Sequence, residues 1–553
     1  MRFTNKVKKY INKVKHFIIL QVILRLFGTL CLASVPLLSK RLFDLPKEEL
    51  KIELLPLIFI LLGIYIAYCF LSYVEAICGW KVAINFEVNM KRDFLKAISR
   101  LRFKQFSQKN VGEYISLQAN DITAIDSDYI IPFVDLINSL IMVVVYGTVL
   151  FVFLDFRIAI ALILFSLFSV FMTKLTAKQL SQRRNGYSMQ MGVYTSCIKD
   201  LLEGFKLINA RTRENILVHH DKVLNETRNK RFYYGKFKAL TLAFNGFLTY
   251  SISIAAFALA GYLMLTEKIS VGTAVAALGY VECFVSPVLS ILYDVNAIHS
   301  TKGIIKKVLA LFETNADERD CLPIVSEFKS TITLDNVCLS FENFAMKKFS
   351  FQFEKGKKYA IIGGNGSGKS TILGVIMKWV DMESGSVFVD GEEIRTIDLT
   401  DIVFCANQLE HIYSEEFIRN MTVFGSYSPL KGIAFSEKIQ GNYSNAVKTA
   451  DNCQNLSGGE KQLLSVLRML CADTPICLMD EPFAAVDEQL KAFLQGEIMK
   501  MKDKTVIMIT HDLSESLSDF DEILIIENGE LAIHGSFELI SRTKQYRKLS
   551  EKQ

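Results

Sequence analysis

The 553-residue sequence lacks the features of a disulfide-rich, metal-clustered or nucleic-acid-binding protein. Its 11 cysteines include no Cys-x-x-Cys pair and no metal-ligand spacing, so we expect them to be reduced and structural. The 63 basic and 58 acidic residues leave a net charge of +5, which does not suggest a nucleic-acid partner. No cleavable signal peptide is evident, because the first apolar stretch is too long and has no small-residue cleavage site.

The first half of the chain is strongly apolar. Half of all residues are hydrophobic, and most of this apolar content precedes residue 300. A membrane-spanning helix needs about 20 largely apolar residues. The sequence therefore predicts six spans, at residues 17–38, 55–78, 130–154, 158–177, 240–265 and 271–295.

Charges around these spans predict their orientation. Six basic residues and no acidic one precede the first span, and the long segments 79–129 and 178–239 are also rich in lysine and arginine. The positive-inside rule then places the N-terminus, both long loops and the second half of the chain in the cytoplasm. Because loops of this length are rarely structureless, we expect helical extensions of the spans there.

The second half begins near residue 331 and reads as an α/β domain, with short β-branched runs between helical stretches. The predicted strand 358–362 leads into Gly363-Gly364-Asn365-Gly366-Ser367-Gly368-Lys369-Ser370. This is a P-loop pattern, in which backbone N–H groups and a helix N-terminus converge on phosphate. We expect Lys369 to neutralise phosphate charge and Ser370 to bind Mg²⁺.

A second apolar strand, 475–479, ends in the carboxylates Asp480 and Glu481. Open α/β sheets bind ligands at the carboxyl ends of their strands, and the pair resembles the Walker B element of P-loop ATPases. The resemblance implies that Asp480 holds Mg²⁺, directly or through water, and that Glu481 orients and deprotonates the attacking water. An unperturbed glutamate is ionised at neutral pH and is available as a base.

The string Ser457-Gly458-Gly459-Glu460 allows two interpretations. Ser457 and Glu460 have the spacing of a capping box that opens a helix. Two glycines weaken the first turn of a helix, which capping does not explain. They are explained if the helix N-terminus must approach a phosphate closely.

Leu456–Glu460 in a chain that also has a P-loop resembles the signature sequence of ATP-binding-cassette (ABC) ATPases, and the resemblance covers essentially the whole chain. It implies a multidomain membrane protein with an all-α, six-helix transmembrane domain of the type IV exporter kind, followed by an α/β P-loop ATPase domain. We expect a transmembrane domain over 1–300, a linker over 301–330 and a nucleotide-binding domain over 331–553.

The same resemblance assigns roles to individual residues. Lys369, Gln408, Glu481 and His511 are implied in ATP hydrolysis, and Ser370, Gln408 and Asp480 in Mg²⁺ binding. The implied ATP contacts are Phe341 at the adenine, the eight P-loop residues with Thr371, Ser457, Gly458 and Gly459 from the opposite subunit, and Asp487.

The segments between the spans also match this family. Phe106 with 111–116 and 120–122 resembles the first intracellular loop of ABC exporters, and 201–208 resembles the second. Coupling helices near 105–125 and 200–215 are expected to dock on the ATPase. The chain departs from the family in two ways, since the acidic-Gly-Glu-Arg-Gly string before the signature is absent and the segment 408–456 is short.

Five ionisable residues fall within the predicted spans, where they are expensive and usually face a partner or a cavity. They are Arg25, Glu75, Asp135, Glu282 and Asp294. One hypothesis is that Glu282 lines a translocation cavity and pairs with Arg25. The alternative is a polar contact between helices with no substrate role.

We therefore expect an ATP- and Mg²⁺-dependent half-transporter in a bacterial cytoplasmic membrane, with its ATPase domain in the cytoplasm. It would work as a homodimer or as a heterodimer with a second half-transporter, exporting a peptide, lipid or drug-like compound, with no nucleic-acid partner. An importer on the same fold and an ATP-gated channel or sensor remain as alternatives.

Overall fold

The computed structural model describes residues 2–153, 156–313, 322–341, 344–407, 411–439 and 452–551. The chain divides into two compact units. The first comprises Met1–Ala97 with Val111–Glu313, and the second comprises Ile98–Asn110 with Thr314–Gln553.

The first unit is helical. Its helices are α1 (Arg2–Asp44), α2 (Lys47–Ser99), α4 (Val111–Ser116), α5 (Ile122–Ile125), α6 (Ile131–Phe153), α7 (Phe156–Glu203), α8 (Arg213–Leu265) and α9 (Val271–Glu313). The short helix α3 (Phe103–Ser107) lies within the second unit. The two segments predicted as helical extensions of the spans are largely helical.

Among the described residues, five helical stretches are long and apolar enough to cross a membrane. They are Val7–Asp44, Glu48–Ser99, Val111–Phe153, Arg213–Leu265 and Val271–Val295, and they contain five of the six predicted spans. The remaining predicted span, 158–177, lies in α7, and many side chains of this stretch are outside the described residues.

Small buried residues line the helix contacts of the first unit. Ala33 of α1, Ala256 and Ala260 of α8 and Ala277 of α9 are buried in one apolar cluster. Small side chains let helix backbones approach closely, which is how membrane helices gain packing energy. The hydroxyl of the buried Tyr280 donates a hydrogen bond to the Ala33 carbonyl.

The stretch Val111–Phe153 contains two π-helical segments, Leu117–Asp121 and Asp126–Ile130. Such widened turns are rare and frequently lie at functional sites. Lys307 of α9 lies 3.1 Å from the carboxylate of Asp121, and the Thr301 hydroxyl donates to the Asp128 carbonyl at 3.1 Å. Helix α9 therefore contacts both π-helical segments through these two side chains.

Among the described residues, Arg25 has a partner on a neighbouring helix. Its guanidinium Nε lies 3.1 Å from a carboxylate oxygen of Glu75 on α2. The side chain of Glu282, the proposed partner, lies outside the described residues. Arg25 thus makes a contact between helices with Glu75, and its pairing with Glu282 stays a prediction.

The described residues of the second unit form two β-sheets. One is antiparallel, with β2 (Phe344–Glu354), β1 (Thr331–Phe341), β4 (Ser384–Val389) and β5 (Glu392–Glu393) in the order β2-β1-β4-β5. The other has the order β10-β9-β3-β8-β7-β6, from β10 (Glu530–Gly535), β9 (Glu522–Glu527), β3 (Lys358–Gly363), β8 (Thr505–Ile509), β7 (Ile476–Asp480) and β6 (Val403–Ala406).

In the second sheet β3 pairs in parallel with both β8 and β9, and β7 pairs in parallel with β8 and β6. Every residue of β3 and β8 is buried, as expected for parallel strands covered on both faces. The helices of this unit beside α3 are α10 (Lys369–Ile376), α11 (Phe417–Met421), α12 (Leu430–Lys438), α13 (Gly458–Ala472), α14 (Glu488–Met499), α15 (Phe537–Ile540) and α16 (Lys544–Ser550).

Gly529 is one of several glycines in this unit that have no room for a side chain. Gly529, in the turn between β9 and β10, has φ +80°, and a Cβ atom there would lie 2.1 Å from the Ala345 carbonyl oxygen. We expect Gly529→Ala to destabilise the second unit by about 1–3 kcal/mol, because the backbone must shift to relieve the clash.

The matched control is Gly496→Ala in the interior of α14, where a Cβ would meet nothing within 4 Å. Alanine there is expected to stabilise by about 0.5–1 kcal/mol, since glycine loses more backbone entropy in a helix. Thermal unfolding of the full chain measures both, and equal melting temperatures for the two variants would contradict this account of Gly529.

Candidate functional site

The P-loop joins β3 to α10 and is held by a neighbouring turn. The Gly529 N–H donates to the Ser367 carbonyl at 3.0 Å. Gly363 packs so closely on β9 that a Cβ there would lie 2.3 Å from the Ile526 carbonyl oxygen. Gly364 and Gly366 instead face open space. The loop is therefore fixed on its inner side and accessible on its outer side.

Lys369 is the buried cation of the loop, 6% exposed. Its ammonium donates to the carbonyls of Gly363 at 2.9 Å and Gly364 at 3.1 Å. Burial lowers the pKa of this lysine, and the carboxylates of Glu481 and Asp480 oppose that shift. The side chain thus sits beneath the loop with acidic groups close by.

Ser370 and Asp480 are joined by a hydrogen bond from the serine hydroxyl to the carboxylate. Burial raises the pKa of Asp480, and the hydrogen bond from Ser370 counteracts it. A hydroxyl and a carboxylate beside a phosphate-binding loop are oxygen ligands of the kind that Mg²⁺ prefers. In the described part of the chain the buried Ser367 hydroxyl also has no hydrogen-bond partner. These residues fit a magnesium–phosphate ligand.

Glu481 and His511 meet at the carboxyl ends of the adjacent strands β7 and β8. The Glu481 N–H donates to the Ile509 carbonyl at 3.1 Å, and its carboxylate lies 2.8 Å from Nε2 of His511. The backbone of Glu481 has φ +47°, which is uncommon for a residue with a side chain. Backbone conformations of this kind cluster at functional sites, where surrounding contacts hold them.

The residue after His511 is fixed by a lysine that sequence reasoning missed. Lys491 of α14 lies 2.6 Å from the Asp512 carboxylate, which also accepts from the Ser514 N–H at 2.8 Å. Burial favours the neutral carboxyl, but the hydrogen bonds from Lys491 and Ser514 outweigh it and lower the pKa of Asp512 to about 2. Asp512 is therefore ionised at neutral pH and ties the His511 segment to α14.

The predicted capping box at the start of α13 is present. The Ser457 hydroxyl accepts from the Glu460 N–H at 3.4 Å, and the Glu460 carboxylate accepts from the Ser457 N–H at 2.7 Å. The side chains of Ser457 and Glu460 therefore accept hydrogen bonds from two N–H groups at the start of the helix.

The two glycines of this turn have a packing role that the sequence interpretation did not contain. A Cβ at Gly459 would lie 2.7 Å from the Ala485 carbonyl oxygen, and one at Gly458 would lie 3.3 Å from the Ala485 Cβ. The Ala485 N–H donates to the side chain of Gln462 at 2.8 Å. Gly459 is thus needed for contact within the chain, whereas Ser457 and Gly458 are exposed.

Other predicted nucleotide contacts lie nearby or have a local role. Asp487 caps α14, accepting from the Leu490 N–H at 2.9 Å. Phe341 is 52% exposed, and its ring lies 6.4 Å from that of Phe344. A Cβ at Gly368 would lie 2.5 Å from the Phe344 ring, so Phe344, which sequence reasoning missed, packs on the P-loop.

The remaining predicted residues are placed as follows. Asn365 is exposed in the loop, and Thr371 is half-buried in the first turn of α10. Gln408 lies outside the described residues.

Together these elements place a P-loop, two carboxylates and a histidine at one edge of a parallel sheet. They define a P-loop nucleotide-binding domain in a chain that also carries long apolar helices. The family model "ABC transporter transmembrane region" matches residues 18–288, and the model "ABC transporter" matches residues 346–484. The chain belongs to the ABC transporter family, and it is a multi-pass membrane protein.

Curated relatives align along most of their length. An ATP-dependent lipid A-core flippase of Haemophilus influenzae is 23% identical over 90% of this chain and 87% of its own. A Bacillus subtilis protein, YgaD, whose name describes multidrug export, is 23% identical over 82% of this chain and 81% of its own. The solved structure of a bacterial Atm1-family ABC exporter with ATP bound has a TM-score of 0.84, 18% identity and 98% coverage of both chains, a likeness of fold.

The packing of Gly459 leads to a testable difference between two adjacent glycines. Gly459→Ala places a Cβ against a backbone carbonyl and is expected to destabilise the chain by about 1–3 kcal/mol even without nucleotide. Gly458→Ala meets a methyl group at 3.3 Å and needs a much smaller shift. Thermal unfolding of both variants without ATP decides the point. Unchanged stability in Gly459→Ala would show that its packing role is wrong.

Proposed function

We propose that this chain is half of an ATP-driven exporter and works as a dimer with two ATP sites. Each site joins the P-loop of one subunit to Ser457, Gly458 and Gly459 of the other. The observation that carries the proposal is the set Lys369, Ser370, Asp480, Glu481 and His511, which is complete and closely spaced in a chain with long apolar helices.

The chemistry follows from where these groups lie. Lys369 and the loop N–H groups bind the phosphates, and Ser370 and Asp480 hold Mg²⁺, which neutralises phosphate charge. Glu481 orients the attacking water and accepts its proton. His511 keeps the Glu481 carboxylate in place and contacts the terminal phosphate.

The remaining roles also belong to the proposal. Phe341 stacks on the adenine, Gln408 contacts Mg²⁺ and the attacking water, and Asp487 helps to form the composite site. Ser457 and Gly458 are exposed at the start of α13, as contact with a partner's nucleotide requires.

Helix α3 supports mechanical coupling to the ATPase. In sequence it lies between α2 and α4, yet it belongs to the second unit. The Phe103 ring lies 5.6 Å from that of Trp379, and the Lys104 ammonium lies 2.5 Å from the Asp381 carboxylate. In our proposal the first coupling contact with the ATPase is made by residues 98–110, which include the first six residues of the predicted segment 105–125. From Val111 onward the chain belongs to the first unit.

The second predicted coupling segment exposes large apolar side chains. Leu202, Phe205 and Leu207 are 65%, 68% and 72% exposed around a short helical turn that follows α7. Exposed apolar clusters of this kind are typical of protein contacts. We assign it to the ATPase domain of a partner subunit. Because every residue proposed for hydrolysis is present, the partner is either a second copy or another half-transporter.

Export and location rest on the relatives and on charge. The compared relatives carry names for lipid A-core flipping and multidrug export, which favours export over import and an amphipathic lipid or drug-like substrate. The basic segments 79–129 and 178–239 favour a cytoplasmic ATPase domain by the positive-inside rule. We place the protein in a bacterial cytoplasmic membrane.

Replacement of the proposed base tests the function directly. In the chain purified in lipid, Glu481→Gln is expected to lower ATP hydrolysis by about 100-fold or more, because general-base catalysis contributes about 10²–10⁴-fold. ATP binding should persist, since Lys369 and the P-loop are unchanged. The control is Glu530→Gln at an exposed position of β10, which should hydrolyse ATP at the wild-type rate.

A folded, ATP-binding wild type without ATPase activity would contradict the homodimer and direct the search to a partner chain. Full activity in Glu481→Gln would overturn the role of Glu481.

A further inference from the structure

A polar cavity of about 580 Å³ lies within the first unit, between α1, α6 and α9. We propose that it binds a hydrophobic organic cation, held by Asp135 and Asp294. The inference rests on the proposed function, because it names the substrate class that the exporter would carry.

The cavity is lined by polar stripes on two otherwise apolar helices. Asp135, Asn138 and Ser139 of α6 follow the spacing i, i+3, i+4, and Ser286, Ser290 and Asp294 of α9 follow i, i+4, i+8. Residues at these spacings share one helix face. Both helices therefore turn their polar face to the cavity and not to surrounding lipid.

Two of these side chains have unused hydrogen-bonding groups. Asn138 is 2% exposed, and in the described part of the chain neither its amide nitrogen nor its amide oxygen has a partner. Asp294 is 4% exposed, and its Oδ2 has none among the described residues. Unpaired buried polar groups are costly, and polar residues within membrane helices are usually functional. A ligand in the cavity supplies the missing partners.

The charges around the cavity favour a cation. Arg25 also lines it, but its guanidinium is paired with Glu75 at 3.1 Å. Arg25 also acts electrostatically on Asp135, so its single guanidinium serves two carboxylates, and among the described residues Asp294 has no salt bridge. With three carboxylates, Glu75, Asp135 and Asp294, near one guanidinium, the local charge is negative. An anion placed here would meet two carboxylates and one guanidinium that is shared between Glu75 and Asp135.

The size of the cavity and the apolar residues among its lining favour an organic ion over a small inorganic one. A volume of about 580 Å³ falls within the range of pockets that hold drug-sized molecules. Met142 and Tyr293 add apolar surface, and an aromatic ring attracts a cation to its face. The described residues contain no group of three or more metal-ligating side chains.

Two ions of the same shape and opposite charge provide the test. Binding of tetraphenylphosphonium and tetraphenylborate to the full chain in lipid nanodiscs is measured by equilibrium dialysis, with empty nanodiscs subtracted. We expect saturable binding of the phosphonium and no saturable binding of the borate. Asp135→Asn and Asp294→Asn should each weaken phosphonium binding by about tenfold or more, since loss of a buried charge partner is costly.

Glu49→Gln is the matched control, because it removes one exposed carboxylate from the first turns of α2, outside the cavity lining. Its phosphonium affinity should equal that of the wild type. The two-ion comparison needs only the unmodified protein, so it decides the matter even if a variant fails to fold.

Absent or unsaturable phosphonium binding, equal saturable binding of both ions, or unchanged affinity in both folded aspartate variants would overturn the cation site. Wild-type ATP hydrolysis, measured on the same sample, separates this inference from the proposed function. Hydrolysis without phosphonium binding leaves the ATPase proposal standing and removes the cation site.

Discussion

The parallel pairing of β3, β8 and β7 is the constraint on which the candidate site depends. Because the three strands run in one direction, their carboxyl ends bring the P-loop, His511 and the Asp480–Glu481 pair to one edge of the sheet. The turn at Gly529 then holds the P-loop from behind through the Ser367 carbonyl. A change in the pairing of these strands would move the P-loop away from the carboxylates of Asp480 and Glu481.

Much of this site could be predicted from sequence because its parts are local. A P-loop, a strand that ends in two carboxylates and a capped helix each need only a few adjacent residues. The missed residues act across the fold. Lys491 of α14 pairs with Asp512, which follows β8. The Phe344 ring of β2 packs against Gly368 of the P-loop, and the Ala485 carbonyl leaves no room for a side chain at Gly459. Such contacts leave no periodic signal in the chain.

In the membrane half, too, local features could be predicted from the sequence, whereas contacts between helices could not. Apolar length alone predicted five helical stretches that the structure describes, but not the partner of Arg25, which is Glu75 on α2. Sequence also showed five ionisable residues in the spans without showing which share a space. Only the three-dimensional arrangement shows that Arg25, Asp135 and Asp294 line one cavity.

In the proposed dimer, each ATP site is shared between two subunits. Lys369→Ala removes the P-loop cation and Ser457→Arg blocks the opposite half-site, so each variant alone should not hydrolyse ATP. A mixed dimer, purified with a different tag on each variant, contains one site with both halves intact and is predicted to regain ATP hydrolysis. A mixed dimer as inactive as either parent, although assembled and able to bind ATP, would contradict the shared site.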